Sequence, residues 1–248
     1  MITVIIPTLN EAEALPRLLR AIARESETHE IVVSDGGSVD GTAALARTAG
    51  ARVVMAPKGR GAQLAAGAAA AKGDVLWFLH ADTKIAYGAM RVLLRALGAP
   101  GVAGGNFRVL FDGGTRFDRF MTWFYGAIRR LGLFYGDSGI FVRRDVYDAI
   151  GGMRALALME DYDFARRLRR AGRVACVRFP PLVTSSRRFR GRHPVAIMGG
   201  WLAIHVLYAL GASPRLLARL YRSTVQAPGL RAQARRSAPN RIGIDRSR

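Results

Sequence analysis

Acidic side chains lie directly after two predicted strands and at the start of a predicted helix, where they could bind a cation or accept a proton. Asp82 comes just after the apolar run Val75–Leu79, whose length and abrupt end predict a strand buried on both faces. In open α/β sheets ligands bind beyond the carboxyl ends of the strands. Asp82 could therefore hold a metal ion and, through it, a phosphate. Alternatively Asp82 caps the following helix, and position alone does not separate the two interpretations.

Two further groups of acidic residues lie at the boundaries of predicted elements, one after a strand and one at the start of a helix. The loop Asp35–Thr42 contains two aspartates, three glycines and two hydroxyl side chains directly after a second predicted strand. The segment 160–163 places three acidic residues in the first turn of a predicted helix. Acidic residues stabilise the amino end of a helix through its dipole. That role accounts for one or two of these residues more easily than for three.

The elements that must position these residues alternate between strand and helix. Apolar runs predict four strands in the first third of the chain: Ile2–Pro7, Glu30–Ser34, Ala51–Met55 and Val75–Leu79. This alternation predicts a parallel sheet, whose polar strand ends would meet at one edge. A basic turn, Pro57–Gly61, is a further candidate for that edge. Asn10, with Glu13 three residues later, predicts the N-cap of the first helix.

The rest of the chain predicts more strands and helices, followed by an unstructured end. Val102–Phe111 predicts a strand, Phe117–Leu131 a helix, and Val174–Phe179 a last strand that Pro180 and Pro181 end. We expect three regions: a domain over residues 1–190, a helical segment over 191–226, and a basic disordered tail over 227–248.

The apolar segment Pro194–Ala212 lies between two groups of arginines. Its composition predicts a helix that lies on a membrane surface or packs on the domain. Its length is borderline for a single membrane span, which is the alternative interpretation.

The composition is strongly basic, with a net charge of +20 from 35 Arg and 3 Lys against 18 acidic residues. Such charge suits nucleic acid, an anionic membrane surface or anionic substrates. Biased genomic composition explains it equally, because the arginines are spread along the whole chain. A single cysteine excludes a disulfide framework and a multi-thiolate metal site and fits a reducing compartment. The start shows no secretory signal pattern, and no Rossmann or P-loop motif is found.

Four motifs, taken together, resemble family 2 glycosyltransferases with the GT-A fold. In chain order they are Pro7-Thr8-Leu9-Asn10-Glu11, Asp35-Gly36-Gly37-Ser38-Val39-Asp40-Gly41-Thr42, Gly73-Asp74 with His80-Ala81-Asp82-Thr83, and Glu160-Asp161. Each motif alone is weak, but their order and spacing over about residues 1–190 are specific. Two short sequences most resemble a bacterial subgroup labelled arsenosugar-biosynthesis-like or selenodomain-associated transferases. They are His80-Ala81-Asp82-Thr83 and Ser185-Ser186-Arg187-Arg188. The resemblance implies an α/β fold with a mostly parallel central sheet flanked by helices, followed by a C-terminal apolar helical segment.

The resemblance also implies a nucleotide-sugar donor of the UDP or GDP type. The residues that would bind it are Pro7, Thr8, Asn10, Glu11, Asp35, Lys58, Arg60, Ala81 and Asp82. In that set Asp35 would accept a hydrogen bond from the base, and Lys58 and Arg60 would lie near the ribose or diphosphate. Asp82 would ligate Mg²⁺ or Mn²⁺, both hard cations that prefer oxygen ligands. His80 replaces the first Asp of the family's DxD motif and could be an alternative ligand or face the sugar.

The same resemblance implies which residues would act in the transfer reaction. Asp161 would act as general base towards an acceptor hydroxyl, and one base with one displacement implies inversion at the sugar. Glu160 and Asp137 would line the acceptor or sugar site. Arg187 and Arg188 would hold the diphosphate, for which the forked guanidinium is suited. The enzyme implied is a hexosyltransferase-type glycosyltransferase located in the cytoplasm, with peripheral contact to the inner face of the cell membrane as an open possibility.

Three other functions are weighed against this one. A polyprenyl-phosphate glycosyltransferase, acting on a lipid-linked acceptor at the membrane surface, is favoured by the basic, apolar segment Pro194–Ala212. A nucleotidyltransferase has similar sheet topology but usually begins with a Gly-rich, basic loop, which this sequence lacks. A nucleic-acid binder is suggested by charge alone and gives no reason for Asp82 and Asp161, so we expect no nucleic-acid partner.

Overall fold

The computed structural model describes residues 1–130, 132–189, 191 and 193–222, without the side chain of Arg188. The chain divides into two compact units, the first spanning Met1–Arg188 and the second beginning at Phe189. The tail expected over 227–248 lies outside the described residues.

The first unit is a single sheet flanked by helices. Its strands are β1 (Ile2–Thr8), β2 (His29–Asp35), β3 (Arg52–Met55), β4 (Val75–Phe78), β5 (Val102–Phe111), β6 (Phe141–Arg143) and β7 (Arg173–Thr184). Its helices are α1 (Leu15–Ile22), α2 (Thr42–Thr48), α3 (Arg60–Ala70), α4 (Ala89–Leu97), α5 (Arg116–Arg130), α6 (Arg144–Ala149) and α7 (Glu160–Ala171).

The strands lie in the order β3-β2-β1-β4-β6-β5-β7. Only β6 runs antiparallel to its neighbours among the described strands, so the predicted mostly parallel sheet is confirmed. In the register, Thr8 at the end of β1 lies beside Asp35 at the end of β2. Because β4 is the other neighbour of β1, the loops after β1, β2 and β4 meet at one edge, as predicted.

Alternating residues of the central strand pack against helices on opposite faces of the sheet. Val4 and Ile6 belong to one hydrophobic cluster with the apolar sides of α1 and α4. Ile5 belongs to a second cluster with residues of α3 and α7. The core therefore has two layers with the sheet between them, which fixes the strand ends that carry the candidate site.

Two sequence-based expectations about element ends are wrong. Helix α1 begins at Leu15 with Ala14 at its N-cap, so Asn10 does not cap it. Strand β7 continues through Pro180 to Thr184. Its pairing with β5 shifts register between Phe107 and Val109, and such an irregularity accommodates prolines, which cannot donate to the ladder.

Gly105 in β5 allows a close approach of the adjacent strands. A Cβ at this position would lie 2.2 Å from the ring of Phe141, which is fully buried, and 2.7 Å from the Ala175 carbonyl oxygen. We expect Gly105→Ala to lower the free energy of unfolding by about 1–3 kcal/mol, the usual cost of overpacking a core. Urea denaturation measures this change.

Gly126 provides the matched control for that substitution. It lies inside α5, and a Cβ there would meet no atom within 4 Å. Gly126→Ala should leave stability unchanged or raise it by about 0.5–1 kcal/mol, because Ala is favoured over Gly in a helix. Equal losses in the two variants would contradict the packing explanation.

The second unit contains the helices α8 (Pro194–Ala209) and α9 (Pro214–Tyr221). The predicted apolar helix is present, but it ends three residues before the predicted boundary at Ala212. Ser213 caps the next helix by accepting a hydrogen bond from the Leu216 N–H at 3.3 Å. Among the residues described, no helix combines the length and the hydropathy that crossing a membrane requires.

Candidate functional site

Asp35 organises the loop that follows β2. Its side chain is fully buried and accepts hydrogen bonds from the Thr8 and Ser38 hydroxyls, at 2.8 and 2.6 Å. The Ser38 and Gly37 amides also donate to it, at 2.7 and 2.9 Å. Burial by itself raises the pKa of Asp35, but these hydrogen bonds outweigh it and lower the pKa. With four donors already bound, the carboxylate holds the loop as an ionised group.

Reciprocal hydrogen bonds join the loops after β1 and β2. The Asn10 amide donates to the Ser38 hydroxyl at 2.8 Å, and the Asn10 side-chain oxygen accepts from the Val39 amide at 3.0 Å. The Glu11 amide donates to the Thr42 hydroxyl at 2.9 Å. Asn10 has a positive φ of 56°, a conformation that asparagine adopts more readily than most residues. Asn10 therefore bridges two loops, which explains why it does not cap a helix.

Gln63 is a site-building residue that the sequence analysis missed. It lies on α3, is 5% exposed, and donates from Nε2 to the carbonyl oxygens of Thr8 at 2.6 Å and Ser34 at 3.1 Å. It thereby clamps the carboxyl ends of β1 and β2 together. The available signal was a lone amide inside an otherwise Ala- and Gly-rich helix.

The carboxylates of Glu11 and Asp82 both lie beside the guanidinium group of Arg187. The Arg187 Nη2 atom lies 2.8 and 2.9 Å from the two Glu11 carboxylate oxygens and 3.3 Å from Asp82 Oδ2. Burial lowers the pKa of Arg187, but the hydrogen bond to Glu11 and the charge of Asp82 outweigh it and raise the pKa. Helix α4 has Gly88 at its N-cap, so the alternative that Asp82 caps this helix is wrong. The loops after β1, β4 and β7 thus converge on one guanidinium.

This carboxylate pair also bears on metal binding. Within the described residues, no group of three or more His, Cys, Asp or Glu side chains is arranged to hold a metal ion. Asp82 and Glu11 nevertheless present carboxylate oxygens to one positive charge, and such oxygens suit Mg²⁺ and Mn²⁺. The residues present therefore fit a divalent ion, to which Asp82 and Glu11 would supply carboxylate oxygens.

A second polar centre lies at the start of α7. Arg60 donates from Nε to Glu160 and from Nη2 to Asp161 Oδ2 at 2.9 Å. Glu160 and Asp161 are 2% and 6% exposed. Burial and the neighbouring Asp161 raise the pKa of Glu160, although Arg60 opposes the change. Burial lowers the pKa of Arg60, but the charges of Glu160 and Asp161 outweigh it and raise the pKa.

Gly136 is the point at which this centre meets the loop after β4. Its amide donates to Asp161 Oδ2 at 2.9 Å. A Cβ at this position would lie 3.0 Å from His80 Nε2 and 3.2 Å from Asp161 Oδ2. The turn Gly136–Ser138 also carries Asp137, which accepts from the Tyr125 hydroxyl at 3.2 Å and lies 3.8 Å from His80 Nδ1.

The structure brings most of the predicted site residues into these two groups. Thr8, Asn10, Glu11, Asp35, Asp82 and Arg187 form the first group, and Arg60, His80, Asp137, Glu160 and Asp161 form the second. In the second group Arg60 pairs with the proposed base Asp161, and His80 Nδ1 lies 3.8 Å from Asp137.

The remaining predicted residues make fewer described contacts. Pro7 lies in β1, and Ala81 is buried in the loop after β4. Lys58 is exposed in the turn before α3. The side chain of Arg188 lies outside the described residues.

Solved structures of other proteins resemble this fold over nearly its whole length. The mannosyltransferase PcManGT from Pyrobaculum calidifontis, in complex with GDP-Man and Mn²⁺, superposes with a TM-score of 0.63 at 20% identity, covering 95% of this chain and 78% of that chain. S. aureus TarS 1-349, in complex with UDP-GlcNAc, gives a TM-score of 0.63 at 14% identity, covering 94% and 75%. At such identities the likeness establishes the GT-A fold alone.

Sequence comparison identifies the family. An uncharacterized glycosyltransferase of Mycobacterium tuberculosis is 37% identical over 97 residues, which is 39% of this chain. The chain covers 43% of the length of that relative. The model of the family described as Glycosyl transferase family 2 matches residues 3–157, ending just before α7. Because this match extends over more than half of the sequence and contains the loops after β1, β2 and β4, the chain belongs to glycosyl transferase family 2.

Proposed function

We propose that this protein transfers a hexose from a UDP- or GDP-type nucleotide sugar to an acceptor hydroxyl, with inversion and with the help of Mg²⁺ or Mn²⁺. One observation carries the proposal. Asp161 lies about 80 residues beyond the loop after β4, and both reach Gly136, where His80 and the Asp161 carboxylate are adjacent. A carboxylate that can accept a proton thus lies next to the edge where the donor would bind.

The donor would bind across the loops after β1, β2 and β4. Asp35 would contribute to donor binding indirectly, by holding the loop after β2 in place. Its own carboxylate oxygens already accept four hydrogen bonds. Lys58, which is exposed, and Arg187 with Arg188 would supply cations to the diphosphate. Asp82, with Glu11 beside it, would hold the divalent ion, which would neutralise the departing nucleoside diphosphate.

Asp161 would take the proton from the acceptor hydroxyl. Arg60 and the Gly136 amide both bind its Oδ2 atom, which fixes the carboxylate, and the Tyr162 amide donates to Oδ1 at 2.8 Å. Glu160 shares the Arg60 guanidinium and would position it. One base acting in one displacement gives inversion. Asp137, held by Tyr125, would line the sugar or acceptor side of the site.

A transfer assay tests this proposal. The protein is incubated with Mn²⁺, a panel of UDP- and GDP-sugars and sugar or polyol acceptors, and release of the nucleoside diphosphate is followed. Proton NMR of the product then gives the anomeric configuration. We expect an α-linked donor to yield a β-linked product, and a product that retains the donor configuration would contradict the assigned mechanism.

A second candidate is transfer to a polyprenyl phosphate at the membrane surface. The observation that favours it is the apolar helix α8, which has 16 residues and no charged side chain. Activity that requires a polyprenyl phosphate and is absent with soluble acceptors would support this acceptor class. The subgroup resemblance, the cytoplasmic location and the peripheral membrane contact stay predictions, and cell fractionation tests the last two.

A further inference from the structure

A cavity lined by arginines shares no residue with the set proposed to bind the donor. It has a volume of about 470 Å³ and lies between α5 and the strands β5 and β7. Four arginines line it: Arg108 on β5, Arg129 and Arg130 on α5, and Arg178 on β7. Trp123, also in its lining, is 65% exposed. No acidic side chain among the described residues contributes to this lining.

The four positive charges have no compensating negative charge in the described part of the chain. None of the four arginines forms an ion pair there, and Arg129 donates from Nη1 to the neutral Val177 carbonyl oxygen at 3.0 Å. Burial lowers the pKa of Arg129, the neighbouring Cys176 opposes this change, and the charges of Arg108, Arg178 and Arg130 lower the pKa further. The four guanidinium groups line one cavity, so their positive charges are concentrated there.

The position of these arginines makes them unlike isolated surface charges. Arg108 on β5 and Arg178 on β7 line the same cavity as Cys176, which pairs with Asn106 on β5. Helix α5 packs beside β5, where apolar side chains are the rule. Arg129 is half-buried, so its charge is partly removed from water, which is costly without a charged partner. The other three arginines are exposed side chains of the same lining. A general excess of arginine explains the number of charges but not their convergence on one cavity.

We propose that this cavity binds a phosphate-bearing ligand, either a soluble phosphate ester or the headgroup of an anionic lipid. Phosphate oxygens accept the paired hydrogen bonds that guanidinium groups donate. Trp123 places an amphipathic ring at the rim, where it would contact the apolar part of the ligand or the lipid interface. The site shares no residue with the proposed donor site, so this proposal is tested independently of the proposed transfer reaction.

Two double variants of equal net charge test this proposal. Arg108→Gln with Arg178→Gln removes two charges from the cavity, and Arg47→Gln with Arg95→Gln removes two exposed charges from α2 and α4. Binding of inorganic phosphate is measured by calorimetry without divalent metal. Binding to vesicles is measured by co-sedimentation, using phosphatidylcholine alone and with about 30% phosphatidylglycerol.

We expect the cavity pair to weaken binding by at least about 10-fold, because the variant loses charge-assisted hydrogen bonds to the phosphate oxygens. The surface pair should change it by less than about 2-fold. A selective loss of inorganic phosphate binding identifies a soluble ester, and a selective loss of vesicle binding identifies a lipid headgroup. Equal behaviour of the two pairs, or no binding of either probe by the wild type, overturns the proposal.

Thermal melting separates a binding role from a structural one. Removing two of four repelling charges should leave the melting temperature of the cavity pair unchanged or higher in phosphate-free buffer. Inorganic phosphate or the anionic vesicles should then stabilise the wild type more than the cavity pair. A lower melting temperature in the cavity pair alone would show that the arginines support the fold and would contradict the assigned role.

Discussion

Asp161→Asn is expected to lower kcat by about 10²- to 10⁴-fold, the usual contribution of a general base. The amide keeps the size of the carboxylate and can still accept from the Gly136 amide, but it cannot accept the acceptor's proton. Arg60 stays anchored by Glu160. Affinity for the nucleotide should therefore be retained, and steady-state kinetics with a parallel calorimetric titration measure both quantities.

Asp163→Asn is the matched control, because it makes the same chemical change two residues further along α7. The Asp163 carboxylate pairs with Arg154 at 3.3 Å and Arg167 at 2.8 Å rather than with Arg60. Its substitution should change kcat by less than about 2-fold, since its carboxylate pairs with arginines other than the one that binds Asp161. Full activity in Asp161→Asn would exclude this residue as the base.

Asp82→Ala is expected to weaken nucleotide binding by about 10- to 100-fold when Mn²⁺ is present and to have little effect when the metal is chelated. The substitution removes one carboxylate ligand from the ion, a loss on the order of 1.4–3 kcal/mol. Arg187 remains held by both oxygens of Glu11, so the loop after β7 keeps one of its two anchors. Calorimetric titration of UDP and GDP, with Mn²⁺ and with EDTA, measures the difference.

Asp74→Ala makes the same change at the opposite end of β4. Asp74 is exposed and pairs with the amino terminus at 3.1 Å, far along the strand from the proposed donor edge. It should leave the metal-dependent affinity unchanged. If the wild type binds nucleotide equally well with and without divalent metal, Asp82 has no such role.

The donor-side edge of the fold could be predicted because it follows from local patterns. Short apolar runs separated by amphipathic helices specify parallel strands, and parallel strands place their following loops together. Asp35, Asp82 and the loop 8–11 were therefore predictable neighbours. The prediction needed no knowledge of which side chains would touch.

The contacts that complete the site depend on tertiary packing between distant segments. Arg60 and Asp161 are 101 residues apart, and no local pattern indicates that a basic residue beside a Gly-rich turn will bind the start of α7. Gln63 likewise reads as an ordinary helical residue until the ends of β1 and β2 lie beneath it. Asn10 satisfied the local rule for a helix cap, but hydrogen bonds to the loop after β2 took precedence.

The most direct measurement is a calorimetric titration of the wild-type protein with UDP and with GDP in the presence of Mn²⁺. We expect one of the two to bind with a dissociation constant on the order of 1 μM to 1 mM, the usual range for enzyme substrates, and to lose affinity on chelation or in Asp82→Ala. Failure of both nucleotides to bind would contradict the assignment of this sheet edge as a nucleotide-sugar site.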